Sequence, residues 1–135
     1  MNNISNIELI KKAASVINSR RVKEYTIGDV GVALISQNGN VYTGVCIDTG
    51  SGMGFCAEAS AIAAMITAGE SRIIKIVATW KNDDGDMYVL PPCGRCREFI
   101  KQIDQENLNA EVILAKDTVV TLSELLPHDN EFIKI

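Results

Sequence analysis

The chain has no surplus of basic residues: 13 Lys and Arg stand against 17 Asp and Glu, a formal charge of −4. Proteins that grip long DNA or RNA by its phosphates carry the opposite balance. The short basic runs Lys11-Lys12 and Arg20-Arg21, set among acids, therefore read as solvated surface. Aromatic residues make up only 5% of the chain, too few for a row of base-stacking platforms. No apolar run approaches the roughly 20 residues that span a bilayer. Met1-Asn2-Asn3-Ile4 lacks the basic flank and apolar stretch of a secretory leader, so the expected compartment is the cytoplasm. The one histidine, His128, follows Pro127 near the C-terminus and is assigned no role. Repeats, low-complexity tracts and linkers are missing too. With 47% hydrophobic and 22% charged content, residues 1–135 read as a single domain long enough to bury a core.

What the chain does have is four cysteines, Cys46, Cys56, Cys93 and Cys96. In a reducing compartment these are metal ligands or buried thiols before they are disulfides, although their even number leaves a pairing open. Three of them fall in two short motifs, Cys56-Ala57-Glu58 and Pro92-Cys93-Gly94-Arg95-Cys96, about one βα unit apart.

The order of elements places these motifs. Ile7, Ile10, Ala14 and Ile17 recur at helical spacing within 4–17, which predicts an amphipathic first helix. Gly28 to Gly31 breaks that pattern, and 30–35 (Val-Gly-Val-Ala-Leu-Ile) reads as a buried strand. Asn38-Gly39 is a hairpin signal, and 41–45 returns as the second strand. A glycine-rich loop, 49–54, leads to Cys56. Ala57 to Ala68 reads as a mostly buried helix closed by Gly69. A strand over 73–80, a polar loop over 81–86, a helix over 93–103 and a strand over 111–115 follow. Thr121-Leu122-Ser123-Glu124 resembles a capping box that opens a short helix stopped at Pro127. A final strand or extended tail is expected at Phe132-Ile133. The order α-β-β-α-β-α-β-α suggests a mixed sheet with helices on both faces.

On this reading Cys93 and Cys96 share one face of a first helical turn and can grip one ion. Cys56 opens another helix, so all three thiols lie near positive dipole ends that favour thiolate. Three protein ligands leave zinc a fourth position for water, the layout of a catalytic site and not of a closed structural one. Glu58, two residues on from Cys56, reaches the same pocket only if Cys56 lies at the extreme start of its helix. From there it can shuttle protons during hydrolysis of an amidine carbon. Three thiolates make the centre anionic, and Arg95, between two of them, is the candidate that offsets the charge.

These motifs resemble those of the zinc nucleobase deaminases, in which Cys may replace the His of H-x-E and the Glu is not a ligand. With Tyr42-Thr43-Gly44-Val45, the Val-Ala-Leu strand before Asn38-Gly39, Pro92 to Arg97 and Glu124-Leu125-Leu126-Pro127, the chain is similar over most of its length to the small cytidine deaminases. It is most similar to their blasticidin-S deaminase branch. The resemblance implies an α/β fold of three α/β/α layers with a mixed five-stranded sheet, a homotetramer, and hydrolytic deamination of a small aminopyrimidine nucleoside. It implies Zn²⁺ on Cys56, Cys93 and Cys96, Glu58 as proton shuttle, and the Ala57 N–H facing the pyrimidine carbonyl oxygen. Three positions depart from it. Cys46-Ile47-Asp48 stands where cytidine deaminases carry the Asn-x-Glu that holds ribose, leaving Asp48 as a candidate sugar contact or a turn residue. Ala59 stands where they carry an Arg after the catalytic Glu. Tyr25-Thr26, before Gly28-Asp29, is the nearest counterpart of the aromatic that stacks on the base. The blasticidin-S branch lacks both the ribose Glu and that Arg.

Other readings remain open. Cys93-Gly-Arg-Cys96 alone fits a redox pair, which leaves Cys56-Ala-Glu58 unexplained. Ligation by Cys46 would close the site and make a zinc-stabilised, non-catalytic binding module, although Cys46 at a strand end also fits a small buried side chain. A deaminase acting on a base within a nucleic acid would use the same chemistry, against the acidic balance and scarce aromatics. Trp80 and Phe132 read as core or subunit-interface residues. Asp83-Asp84-Gly85-Asp86 lacks the closing Glu of a calcium loop and reads as solvated.

Overall fold

A computed structural model describes residues 4–129 and 131–135; the Met1-Asn2-Asn3 stretch read for a leader lies outside them. Its elements run α1 (Asn6–Ser15), β1 (Arg20–Val22), β2 (Tyr25–Ser36), β3 (Val41–Ile47), α2 (Ala57–Thr67), β4 (Ile73–Lys81), β5 (Met87–Leu90), α3 (Gly94–Ile103), a 3-10 turn (Gln105–Asn109), β6 (Glu111–Ala115), β7 (Thr118–Thr121) and α4 (Leu122–Leu125).

The sheet has seven strands, not the expected five. Pairing shows why five was nearly right. Ile27 of β2 pairs with Arg20 of β1 and Ile47 of β3, so β1 and β3 lie on opposite edges of β2. Gly31 likewise pairs with Val45 of β3 and Thr79 of β4, which puts β4 end to end with β1. Ala78 of β4 pairs with Val32 and Leu90, and Ile76 with Leu34 and Val112, so β5 and β6 also share one edge. The sheet is thus five rows wide: β3, β2, β4 with β1, β6 with β5, then β7. Only β4–β6 is parallel. The unforeseen strands β1, β5 and β7 have 3, 4 and 4 residues, too short to show a periodicity. Phe132-Ile133 is not a strand and is 89% and 81% exposed.

Alternation along β2 divides the core. Ala33 and Ile35 face α1 together with Leu9, Ala13, Val77 and Ile113. Val32 and Leu34 face Ala57, Ala61, Ile62 and Met65 of α2 and Ile100 of α3. The helices therefore cover both faces and make three layers. The buried stripe of α1 is Leu9 and Ala13, not Ile7, which is half exposed, and the helix stops short of Ile17. Close approach selects it: a Cβ on Gly31 would fall 2.2 Å from the Ala13 carbonyl oxygen. Gly28, at φ +81°, sits in a register shift and does not end the strand.

Two contacts fix the other face. A Cβ on Gly44 of β3 would lie 2.4 Å from the Ala61 nitrogen, so α2 rests directly on backbone, and Ser60 Oγ donates to the Val45 carbonyl at 2.7 Å. The fully buried Asn107 accepts the Ile73 N–H at 2.7 Å and donates to the Ser71 and Ile100 carbonyls at 3.0 and 2.9 Å. It ties the start of β4 to α3. Beyond the end of α2, Gly69 takes φ +93° and Glu70 accepts hydrogen bonds from Tyr42 and Asn40, with Tyr42 first among the donors that push its carboxyl down to about 2.

Gly44→Ala is expected to lower unfolding free energy by about 1–3 kcal/mol in denaturant titration, because α2 must lift off the sheet. Glu70, with its pKa depressed on folding, contributes stability that is present above the unfolded carboxyl value of about 4.3 and is lost as pH falls towards the folded one. The difference in melting temperature between wild type and Glu70→Gln should therefore be largest near neutrality and close by about pH 2.

Candidate metal centre and pocket

The loop after β3 turns back on itself. Ile47 and Phe55 exchange backbone hydrogen bonds at 3.0 and 2.9 Å. Gly54 fits beneath because a Cβ there would meet the Ile47 carbonyl oxygen at 2.3 Å. The turn delivers Cys56 as the N-cap of α2, with extended backbone at φ −72°, ψ 159°. Cys93 is the N-cap of α3 in the same conformation, behind a buried Pro92, and Cys96 lies within that helix's first turn. Arg97 braces the start of α3 by donating to the Pro92 carbonyl at 2.8 Å and the Leu125 carbonyl at 3.0 Å.

The three sulphurs lie within 4.8 Å of one another, with Cys56 and Cys93 separated by 3.7 Å. Two sulphurs on a tetrahedral zinc with Zn–S bonds of about 2.3 Å stand roughly 3.8 Å apart, so the spacing fits. Burial pushes the Cys56 and Cys96 thiols up, the latter helped by nearby Glu58. Burial opposes ionisation of Cys93 as well, but the Cys96 backbone N–H and its neighbouring thiols hold it below an ordinary thiol. Three adjacent thiols ionise together only around a cation, which is the behaviour of a metal site.

Glu58 is 6% exposed, and burial raises its carboxyl above the usual range. Because Cys56 is the N-cap and not an interior helical residue, both side chains line one cavity of about 160 Å³, together with Ala57, Cys93, Cys46 and Asp48. Ala57 is fully buried and Asp48 is exposed. Other expected residues lie elsewhere. Thr26 lines a separate groove beside Asp29 and Trp80. The Tyr25 hydroxyl packs on the glycine loop, 3.2 Å from where a Gly50 Cβ would stand. Arg95 is exposed among its helix's outward residues and is not one of the residues that line the cavity. The bracing arginine is Arg97, whose only sequence signal is its place after Cys96.

Cys46 is 3% exposed and stands apart from the triad. Its thiol donates to Asp29 Oδ1 at 3.1 Å, and burial, then that hydrogen bond, push it up to about 11. Trp80 donates from its indole to Asp29 Oδ2 at 3.1 Å and stacks on Tyr88. Asp29 carried no signal in the sequence. The acidic loop is closed by Asn82, whose side-chain oxygen accepts the Asp84 and Asp86 N–H groups at 3.0 and 2.8 Å.

Residues 4–112 match the model of the cytidine and deoxycytidylate deaminase zinc-binding region. A cytidine deaminase of Mycobacterium tuberculosis is 35% identical over 72 residues, 53% of this chain and 51% of that one, so the match spans about half the relative's length. A blasticidin-S deaminase of Bacillus cereus is 30% identical over 103 residues, covering 73% of this chain and 74% of the relative. Among solved structures, the cytidine deaminase of Mycobacterium leprae superposes with a TM-score of 0.70 at 28% identity, covering 89% of this chain and 95% of that one. Zinc is thus the metal of this family's binding region, and the chain belongs to the cytidine and deoxycytidylate deaminase family.

Proposed function

We propose that the protein is a zinc-dependent hydrolase that converts a small aminopyrimidine nucleoside, cytidine, deoxycytidine or a blasticidin-S-like cytosine nucleoside, to its 4-oxo product and ammonia. The observation that carries this reading is a buried carboxylate, Glu58, in one cavity with two thiols of a tetrahedrally spaced triad.

Cys56, Cys93 and Cys96 would hold the zinc, which would supply a polarised water for attack at neutral pH. Glu58 accepts a proton from the attacking water and delivers it to the ring nitrogen beside the reacting carbon, which becomes electrophilic. As oxygen bonds to that carbon, Glu58 takes the remaining hydroxyl proton and passes it to the amine. The carbon–nitrogen bond breaks, and ammonia leaves. Its raised pKa suits a group that must hold and release protons in turn. The Ala57 N–H faces the pyrimidine carbonyl oxygen and orients the ring. Apolar walls, Val30, Ala78 and Leu90, enclose the planar base.

The finer assignments follow the same reading. No helix among the described residues is long and apolar enough to cross a membrane, and the net charge of −4 disfavours long nucleic acid. A homotetramer is supported by the apolar outward residues Ala63, Ala64 and Ile66 of α2 and by the exposed Phe132, Ile133 and Ile135, and a cytoplasmic location by the four free cysteines. The closed four-thiol module has no support in the geometry, because the Cys46 S–H is directed at Asp29.

The chain should bind one zinc by elemental analysis; Cys93→Ala should lose it and Cys46→Ala keep it. A zinc-free Cys46→Ala protein would instead point to the structural module. Zinc-loaded enzyme should release ammonia from cytidine, deoxycytidine or blasticidin S, and Glu58→Gln should cut that rate by about 10²–10⁴-fold with zinc retained. An undiminished rate in Glu58→Gln, or silence of the zinc-loaded protein on every aminopyrimidine tried, would overturn the assignment.

A further inference from the structure

Glu58 stands between two spaces. It lines the open pocket of about 160 Å³ beside Cys56 and Cys93, and it also borders a second space of about 10 Å³. That second space is walled by Ile76, Ala78, Leu90, Pro92 and Val112. Ile76 and Val112, each 2% exposed, are register partners on the parallel strands β4 and β6, so they stand side by side in its wall. Neither lines the open pocket.

The lining makes this a gap that excludes water. A bound water needs roughly 10–15 Å³ and two to four polar partners. Apart from Glu58, the side chains here are all apolar. The strand backbones are engaged in pairing, Ala78 with Val32 and Leu90, Ile76 with Leu34 and Val112. Pro92 has no N–H, and its carbonyl already accepts from Arg97 at 2.8 Å. Protein interiors are otherwise close-packed, with few such gaps.

In the reaction above Glu58 serves the attacking water, the ring nitrogen and the departing amine in turn. These are three different atoms, so the carboxyl must turn between them. A carboxyl packed solidly on every side away from the pocket would be held in one rotamer, whereas a small apolar gap lets it move without meeting solvent. We propose that the gap beside Glu58 is working clearance for proton transfer, and that Val112 and Ile76 are positioning residues that set its size. Both act through Glu58 and touch no reacting atom. The inference rests on the deaminase reading above.

Val112→Ile adds one methylene beside the gap, enough to take it up. The full-length zinc-loaded enzyme would be assayed by ammonia release on whichever of cytidine, deoxycytidine and blasticidin S it turns over. In Val112→Ile, kcat should fall about 10²-fold, the scale of displacing a reacting group by about 1 Å, while KM moves less than about threefold and zinc content is unchanged. Adding Ile76→Val removes a methylene from the neighbouring position and should return kcat to within about threefold of wild type. Val112→Ala deletes contacts but keeps the room, so it should lose at least about tenfold less kcat than Val112→Ile. A purely structural role for Val112 gives the opposite order, because truncation of a buried side chain then costs more. Val112→Leu carries the same extra methylene and takes the place of Val112→Ile where that variant folds poorly by circular dichroism. Wild-type kcat in the filled variant, no recovery in the double variant, a loss confined to KM, or a greater loss in Val112→Ala would overturn the role of the gap and leave the deaminase reading standing. Silence of the wild-type enzyme on all three substrates would overturn both.

Discussion

The site depends on a backbone-to-backbone contact. Helix α2 lies so close to β3 that the sheet presents a glycine, Gly44, beneath Ala61, and Ser60 anchors the helix to the next carbonyl. Everything the pocket needs from that helix sits at its first turn: Cys56 as N-cap, Ala57 on the floor, Glu58 facing inward. Resting on backbone at Gly44, the helix brings Cys56 at its N-terminus within sulphur contact of Cys93 at the start of α3. The distance between two helix ends is in this way set by a residue with no side chain.

Electrostatics then acts on a geometry already fixed. Two helix N-termini point at one spot, and the Cys96 N–H in the first turn of α3 favours the Cys93 thiolate. The effect is uneven: the Cys93 thiol is held low, whereas Cys56 and Cys96 are raised by burial. One thiol of the three is thus inclined to ionise and the other two are not. Glu58, buried beside them, is kept from ionising as readily as a surface acid. The same low-polarity surroundings that raise its pKa also strengthen any hydrogen bond it makes within the cavity.

How much of this the sequence discloses depends on the length scale of the signal. The thiol positions, the N-cap role of Cys56 and the capping box at Thr121, where Glu124 accepts the Thr121 N–H at 3.2 Å, are local patterns and were legible. So was the apolar run over 30–35 that places β2 in the core. Long-range arrangements left no comparable mark. The strands β1 and β5 lie end to end with longer neighbours, a property of pairing that three or four residues cannot encode alone. Asn107 reads as an ordinary turn residue until its three backbone partners from distant segments are in place. Asp29 sits between Gly28 and Val30 in what looks like a break in the chain's pattern; only the fold brings Cys46 and Trp80 to it.

The arginine after Cys96 reaches across to the carbonyl of Leu125, and four residues further along α3 the buried Lys101 pairs with Asp129 at 2.6 Å. Both partners lie beyond residue 112, where the match to the family's zinc-binding region ends. The segment that carries the three clustered thiols is therefore not the whole of what supports them. The end of α4 and the turn after it act as a buttress on α3, and a chain shortened to the recognisable region would keep all three thiols yet lose the strut beside two of them.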